Sequence, residues 1–250
     1  MLLDGTVLLS IAQDVEKKEK VHKYEPDKMF LIMPNYTLQF PFADMAKRFG
    51  INSLFTAQIA FKSTKNWLIG AEGSFLFGTK VKQNYILDGV ETSTGQFVTT
   101  FNDLTYVNLE EHGFNIKFDA GKIFPVSTKF PDAGIMILTS AGFLQHKIAI
   151  DVKPSELPQF SPAYKKGYDR MANGPVISQF LGGTFMARRK YLSGYLGAQF
   201  DAGFTEGRRP YDFYLMEPLH DKRIDLFIGI RAAWIIPVFL ESSAKEYFYR

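Results

Sequence analysis

From Phe30 onward the chain runs in segments of about ten residues in which apolar and polar side chains alternate with period two, the signature of half-buried strands. The last segment is the most regular. Ile224, Leu226, Ile228, Ile230, Ala232, Trp234, Ile236 and Val238 fall on one face, and Arg223, Asp225, Phe227, Gly229, Arg231 and Ala233 on the other. Leu192 to Thr205 opposes Leu196, Ala198, Phe200, Ala202 and Phe204 to Ser193, Tyr195, Gln199 and Asp201. Gly113 to Ile123 sets Phe114, Ile116 and Phe118 against Asn115, Lys117 and Asp119, and Trp67 to Thr79 sets Trp67, Ile69, Phe75 and Phe77 against Glu72 and Ser74. Asn52 to Lys62 and Phe30 to Phe40 follow the same rule, the latter with Asn35, Thr37 and Gln39 on its polar face. Gly134 to Ile150 and Val176 to Arg188 complete a set of eight.

Alternation alone leaves open which face is inside, because a soluble barrel and a membrane barrel share the period. Three features favour the membrane form. The links Ser63 to Asn66, Phe124 to Ala133 and Arg189 to Tyr191 are short. Those between them, Pro41 to Gly50, Lys80 to His112, Asp151 to Pro175 and Glu206 to Lys222, are mostly long, as in outer-membrane barrels with short periplasmic turns and long external loops. Trp67, Phe77, Phe114, Phe204 and Trp234 stand on apolar faces near segment ends, where interfacial aromatic girdles sit. The polar faces mix charge with Gly70, Gly121, Gly197, Gly203 and Gly229, and glycine relieves crowding inside a narrow barrel. The expected fold is an all-β, eight-stranded antiparallel transmembrane up-and-down barrel over residues 29–240, in the bacterial outer membrane with both termini periplasmic.

Composition narrows the function classes. No run reaches the roughly 18 consecutive apolar residues of a membrane helix, so a membrane-spanning chain must close its backbone hydrogen bonds as a barrel. There is no cysteine, which removes disulfide scaffolds and thiolate metal sites. A net charge of +3 with no separate basic stripe gives no reason to expect nucleic acid. Residues 1–13, with the apolar run Thr6 to Ala12, read as a remnant of an export signal. Residues 14–28 read as a charged periplasmic tether and 241–250 as a periplasmic tail.

The inward faces carry both signs of charge. Lys62, Lys117, Arg223 and Arg231 oppose Glu72, Asp119, Asp201 and Asp225, and charges sealed in a narrow lumen require partners. The expected lumen is a closed ion-pair plug of Lys62, Glu72, Lys117, Asp119, Asp201, Asp225 and Arg231, centred on Arg231 with Glu72 and Asp119 at its depth. The expected partner-binding loop residues are Tyr164, Lys165, Lys166, Tyr168 and Arg170, then Arg208, Arg209, Tyr211 and Phe213, since Tyr and Arg dominate interface hot spots; the alternative is that these loops pack on one another over the barrel mouth. His112 and His146 top adjacent strands, but no G-x-S-x-G, H-E-x-x-H or P-loop pattern accompanies them, and the four histidines lack ligand spacing. No catalytic residue, metal, cofactor or small-molecule substrate is expected. The alternative reading is a lipid-directed barrel that modifies or binds lipid A.

Particular residues resemble a family. Gln39-Phe40-Pro41, Ala46-Lys47-Arg48-Phe49-Gly50, Asn66-Trp67 and Gly142-Phe143-Leu144-Gln145-His146-Lys147 are similar to segments of small Bacteroidota outer-membrane barrels. So are Tyr164-Lys165-Lys166-Gly167-Tyr168-Asp169-Arg170 with Asn173-Gly174, and Gly229-Ile230-Arg231 with Trp234 and Pro237. The resemblance spans most of residues 29–250. It implies an integral outer-membrane protein that serves as an accessory subunit of a larger assembly or secretion machine, with outer-membrane lipid and other outer-membrane or surface proteins as partners. One departure is the C-terminus, which continues past the last strand through Glu241 to Glu246-Tyr247-Phe248-Tyr249-Arg250, whereas many such barrels end on a strand aromatic.

Overall fold

A computed structural model describes residues 26–128, 130–152, 157–186 and 193–240. The sequence expectations for residues 1–13, for 14–25 of the tether, for Arg189 to Tyr191 and for the 241–250 tail lie outside these. Eight antiparallel strands form a closed ring. They are β1 (Met29–Phe42), β2 (Asn52–Lys62), β3 (Trp67–Gly78), β4 (Asn108–Ser127), β5 (Phe130–Asp151), β6 (Ala172–Met186), β7 (Ser193–Gly207) and β8 (Lys222–Trp234), the last continued in register by Ile236–Phe239. Each strand pairs with its sequence neighbour, and β8 pairs with β1 to close the ring.

Directly paired residues run once round the ring from Phe30 through Phe61, Ile69, Ala120, Thr139, Gln179, Phe200 and Ile228. They return to β1 at Phe40, ten residues further along. That stagger over eight strands corresponds to a tilt of roughly 40° and a backbone radius of roughly 8 Å. A cylinder this narrow is filled by its own side chains.

The faces decide the solvent. Apolar side chains point outward all round the ring: Ile69 is 66% exposed, Phe118 72%, Ile230 58% and Leu181 55%. Lys117 and Glu72, on the same strands as Phe118 and Ile69, are fully buried inward. An apolar patch that encircles the molecule, with the charges inside, is stable only in hydrocarbon. The structure is therefore a transmembrane β-barrel, and the soluble alternative is excluded by the orientation of the faces.

The two ends differ. At one, the turn end, β2 and β3 are joined by Ser63–Asn66, where Asn66 takes a left-handed φ of 61° and Ser63 Oγ accepts from the backbone N–H groups of Lys65 and Trp67. Asparagine tolerates that conformation. At the other, the cap end, the links carry structure of their own: helix α1 (Ala43–Arg48), a small hairpin of Phe97–Val98 with Leu104–Thr105, and another of Arg209–Asp212 with Glu217–Leu219. Strands β4 and β5 run well beyond their expected bounds, so Phe124 to Ala133 is mostly strand around a tight turn at Thr128. Alternation lapses where a strand leaves the apolar layer, but backbone pairing continues, and sequence pattern tracks only the first.

Candidate functional site

The barrel interior is stratified. Nearest the turn end, Met29, Leu31, Met33, Leu68, Ile123, Met136, Leu138 and Phe180 point inward and pack as one apolar layer with Tyr195 and Ile235. Toward the cap end, Leu54, Leu76, Leu144, Ile148, Val176 and Phe227 form a second, completed from above by Met45 and Phe49 around α1 and by Ile86, Leu87, Phe97 and Phe160 of the long links. Between them lies the charged centre. The mid-height centre thus lies between two apolar layers, with smaller polar clusters beyond them at the ends.

Arg231 is the hub of that centre. Its guanidinium donates to Glu72 Oε2 at 2.7 Å and to the Oε1 atoms of Gln58 and Gln199, each at 3.0 Å. It also lies over the rings of Tyr195 and Phe180, at 5.5 and 5.8 Å from their centroids, a favourable cation–π arrangement. Phe180 reaches this position because Gly182 and Gly197, paired across β6 and β7, leave room; a Cβ on either would stand 2.5 or 2.7 Å from its ring. Lys117 bridges the second half of the network, with Glu72 Oε1 at 2.8 Å, Asp201 Oδ1 at 3.2 Å and the Ser178 hydroxyl at 2.9 Å. Asp201 also accepts from Gln39 and Gln199 and from the Ser178 hydroxyl. Asp119 joins through Gln58, whose Nε2 donates to it at 2.7 Å. Both cations are buried, Arg231 at 2% and Lys117 at 0% exposure, and multiple hydrogen bonds are what make such burial tolerable.

Two members of the expected network stand apart, because strand tilt puts them at other depths. Asp225 belongs to a cluster near the cap end. There it accepts from Arg223 at 3.0 Å and from the Thr205 hydroxyl at 2.5 Å, and it lies 2.8 Å from His146 Nε2. Lys62 closes the turn end. Its ammonium lies 2.5 Å from Asp132 Oδ1 and 3.1 Å from the Asp27 carbonyl, so it ties the segment just before β1 to the β4–β5 hairpin. Burial, reinforced by the nearby Asp132 charge, raises the Asp27 carboxyl above its ordinary value, with Lys62 opposing the shift. Gln58, Gln199, Ser178 and Tyr195 are network members that pairing opposite charges along the sequence cannot find. Their signal was present in the alternation, which puts all four on inward faces.

The two strand-top histidines do not meet. His112 pairs with Lys147, and His146 with Gly113, one residue on in register, so the rings take opposite faces. His112 is outward beside Glu110 at 3.2 Å, while His146 is fully buried.

Above the barrel the links pack into a lid. Arg170, in a left-handed φ of 44°, is buried between the rings of Tyr85 and Tyr214 and donates to Asp212 at 2.8 Å and Gln83 at 2.9 Å. Arg48 of α1 donates to the Arg170 carbonyl at 2.9 Å, and burial, with the Arg223 charge adding to it, pushes its guanidinium down to about 10. Arg209 pairs with Asp169, and Phe213 packs on Tyr168 and Tyr164. The expected loop residues thus divide. Arg170 is buried in the lid, while Lys165, Tyr168, Arg209 and Phe213 are half-buried parts of it; Tyr164, Lys166, Arg208 and Tyr211 face solvent.

The class these features define is a small, self-filled transmembrane β-barrel with a structured lid. The sequence matches no family model and no curated protein. Among solved structures it is similar to Ail, the attachment invasion locus protein of Yersinia pestis, at 9% identity and a TM-score of 0.43, over 83% of this chain and 98% of that one. It is also similar to Neisserial surface protein A, at 8% and 0.40 over 82% and 95%, and to OprG of Pseudomonas aeruginosa, at 8% and 0.36 over 84% and 97%. At such values the barrel assignment rests on the closed strand ring and its two faces.

Proposed function

We propose that this chain is a non-enzymatic integral barrel of the bacterial outer membrane, with periplasmic termini and its lid outside the cell. In this reading it acts as an accessory or structural subunit of a larger outer-membrane assembly or secretion machine. The observation that carries the reading is the filled lumen: a charged centre whose Lys117 and Arg231 are both paired with Glu72, set between two apolar layers, offers no open path for solute. What remains for function is surface, namely the wall in lipid and the lid. The lid presents Tyr164, Lys166, Arg208 and Tyr211, and the Phe97–Thr105 hairpin adds Phe101 at 73% exposure with Tyr106 beside it at 69%. Exposed aromatics flanked by cations are the usual anchors of protein interfaces. The sequence resemblance to Bacteroidota barrels supports the accessory role.

Two measurements test this. Purified protein in planar bilayers is expected to give no steady conductance; a large stable conductance would make it a pore. A photo-crosslinking residue at Tyr164 or Tyr211, in the native outer membrane, is expected to yield a discrete adduct with another outer-membrane protein, and its absence at both sites overturns docking through the lid.

Orientation is checked in the same cells. With an impermeant thiol reagent, Lys166→Cys is expected to label on intact cells and Thr128→Cys only after lysis. Lys166 is the better probe of that loop because a Cβ at Gly167 would stand 2.2 Å from the Phe213 ring. Labelling at Thr128 alone would invert the topology.

A further inference from the structure

The lipid-facing wall carries polar groups where hydrocarbon is deepest. The row of paired residues that climbs from Phe30 at the turn end to Phe40 at the cap end takes eight strand steps. Thr139 and Gln179 are reached at the fourth and fifth, so both stand at about half height. Both side chains point outward and are exposed. Around that height, the described outward side chains with polar groups are these two and Tyr36, whose hydroxyl is already bonded to Ser53 at 2.7 Å.

Thr139 and Gln179 satisfy each other only in part. The Thr139 hydroxyl donates to Gln179 Oε1 at 2.8 Å. The Gln179 NH2 has a 3.5 Å contact to the Phe180 carbonyl, at the outer limit of hydrogen bonding. A primary amide offers two N–H donors and two oxygen lone pairs. At least one N–H and one lone pair therefore face the acyl layer, where water cannot reach them and where unpaired polar groups are costly.

We propose that this wall is an interface between two copies of the chain, packed about a two-fold axis through Gln179. The barrel exterior needs an occupant that supplies one donor and one acceptor, in mirror order, at the bilayer midplane. A primary amide on a two-fold axis supplies that to itself, because two such groups pair through reciprocal N–H···O bonds, and isologous contacts require this self-complementarity. The surroundings allow close approach. Ala120 is paired beside Thr139, and Ala141 is the next outward residue on β5, so small side chains flank the polar pair while Ile177, Leu181 and Phe200 rim it. Small residues beside a polar group are the usual means of association within membranes, where apolar contact alone gives no preference over lipid. The inference rests on the wall serving as a docking surface, and it is independent of the lid.

The absence of cysteine makes the test direct. Leu181→Cys is expected to form a disulfide-linked dimer in native membranes, whereas Ile59→Cys, on the opposite wall, is not. In proteoliposomes, energy transfer between copies labelled at Lys166→Cys is expected to report a dimer that dissociates on lipid dilution. Gln179→Leu is expected to weaken that dimer about tenfold or more, and Gln179→Asn, which keeps the amide, is expected to lose less. Heat-modifiable gel mobility verifies that each variant barrel is folded. Three results would each overturn the two-fold interface: energy transfer unaffected by Gln179→Leu, equal crosslinking at residues 59 and 181, or capture of a different protein at 181. Lid adducts at Tyr164 would stand or fall separately.

Discussion

Arg231→Ala is expected to lower the unfolding free energy by about 3–5 kcal/mol, the range for removing one partner of a buried ion pair. The size follows from what is left behind. Glu72 loses its 2.7 Å partner, and Gln58 and Gln199 each lose a 3.0 Å donor, all in a centre that apolar layers keep from water. Lys117 softens the loss, since it still holds Glu72 at 2.8 Å and Asp201 at 3.2 Å. The double variant Arg231→Ala with Glu72→Ala is expected to fall short of the sum of the single effects by about 0.5–3 kcal/mol, the coupling seen between contacting residues. Arg231→Lys should recover only part, because an ammonium cannot reach three acceptors in a planar fork. Urea unfolding of all these proteins in bilayers decides the matter. Strict additivity would mean that Arg231 and Glu72 act independently despite their contact.

One residue earlier on the same strand the physics reverses. Ile230→Arg places a charge on the lipid face, close to half height, and is expected to cost about 2–4 kcal/mol; Ile224→Arg, near the cap end of β8, is expected to cost about 0–1. The contrast matters more than either value, since only a bilayer imposes a depth-dependent penalty on one face of a strand. Refolding into vesicles under a urea titration gives both numbers. Equal costs at the two positions would place the apolar band elsewhere on the wall. The pairing also separates failure modes: Arg231→Ala damages the lumen without touching lipid, and Ile230→Arg does the opposite.

Much of this was legible in the chain itself. Period-two alternation places Ile228 and Ile230 on one face and Gly229 and Arg231 on the other, because successive strand side chains must point to opposite sides of the sheet. Eight such segments, with the links alternating in length, were enough for strand count and antiparallel order, since short turns can join only neighbours. The opposed signs of Glu72, Lys117, Asp201 and Arg231 on inward faces pointed to a charged centre, because each had to find a counter-ion in a lumen too narrow for bulk water.

Depth was legible only in part: the chain placed Arg231, Glu72 and Asp119 at one level but left Lys62 and Asp225 in the same network. A residue's height in a barrel depends on the ten-residue stagger accumulated round the ring, and that is a property of how eight strands pair together. Stagger sends Lys62 to the turn end and Asp225 toward the cap end, away from a network that their charge alone would have put them in. It also brings Thr139 and Gln179, forty residues apart, to half height on the lipid face. For the lid the sequence left two readings open, loops that bind a partner and loops that pack on one another over the barrel mouth. Tyr168, Arg170 and Phe213 have the composition of an exposed binding loop, and only the packing of separate links over the barrel mouth turned them inward, with Arg170 held between Tyr85 and Tyr214. Local pattern determines which way a side chain faces on its strand; the closed ring determines what it faces.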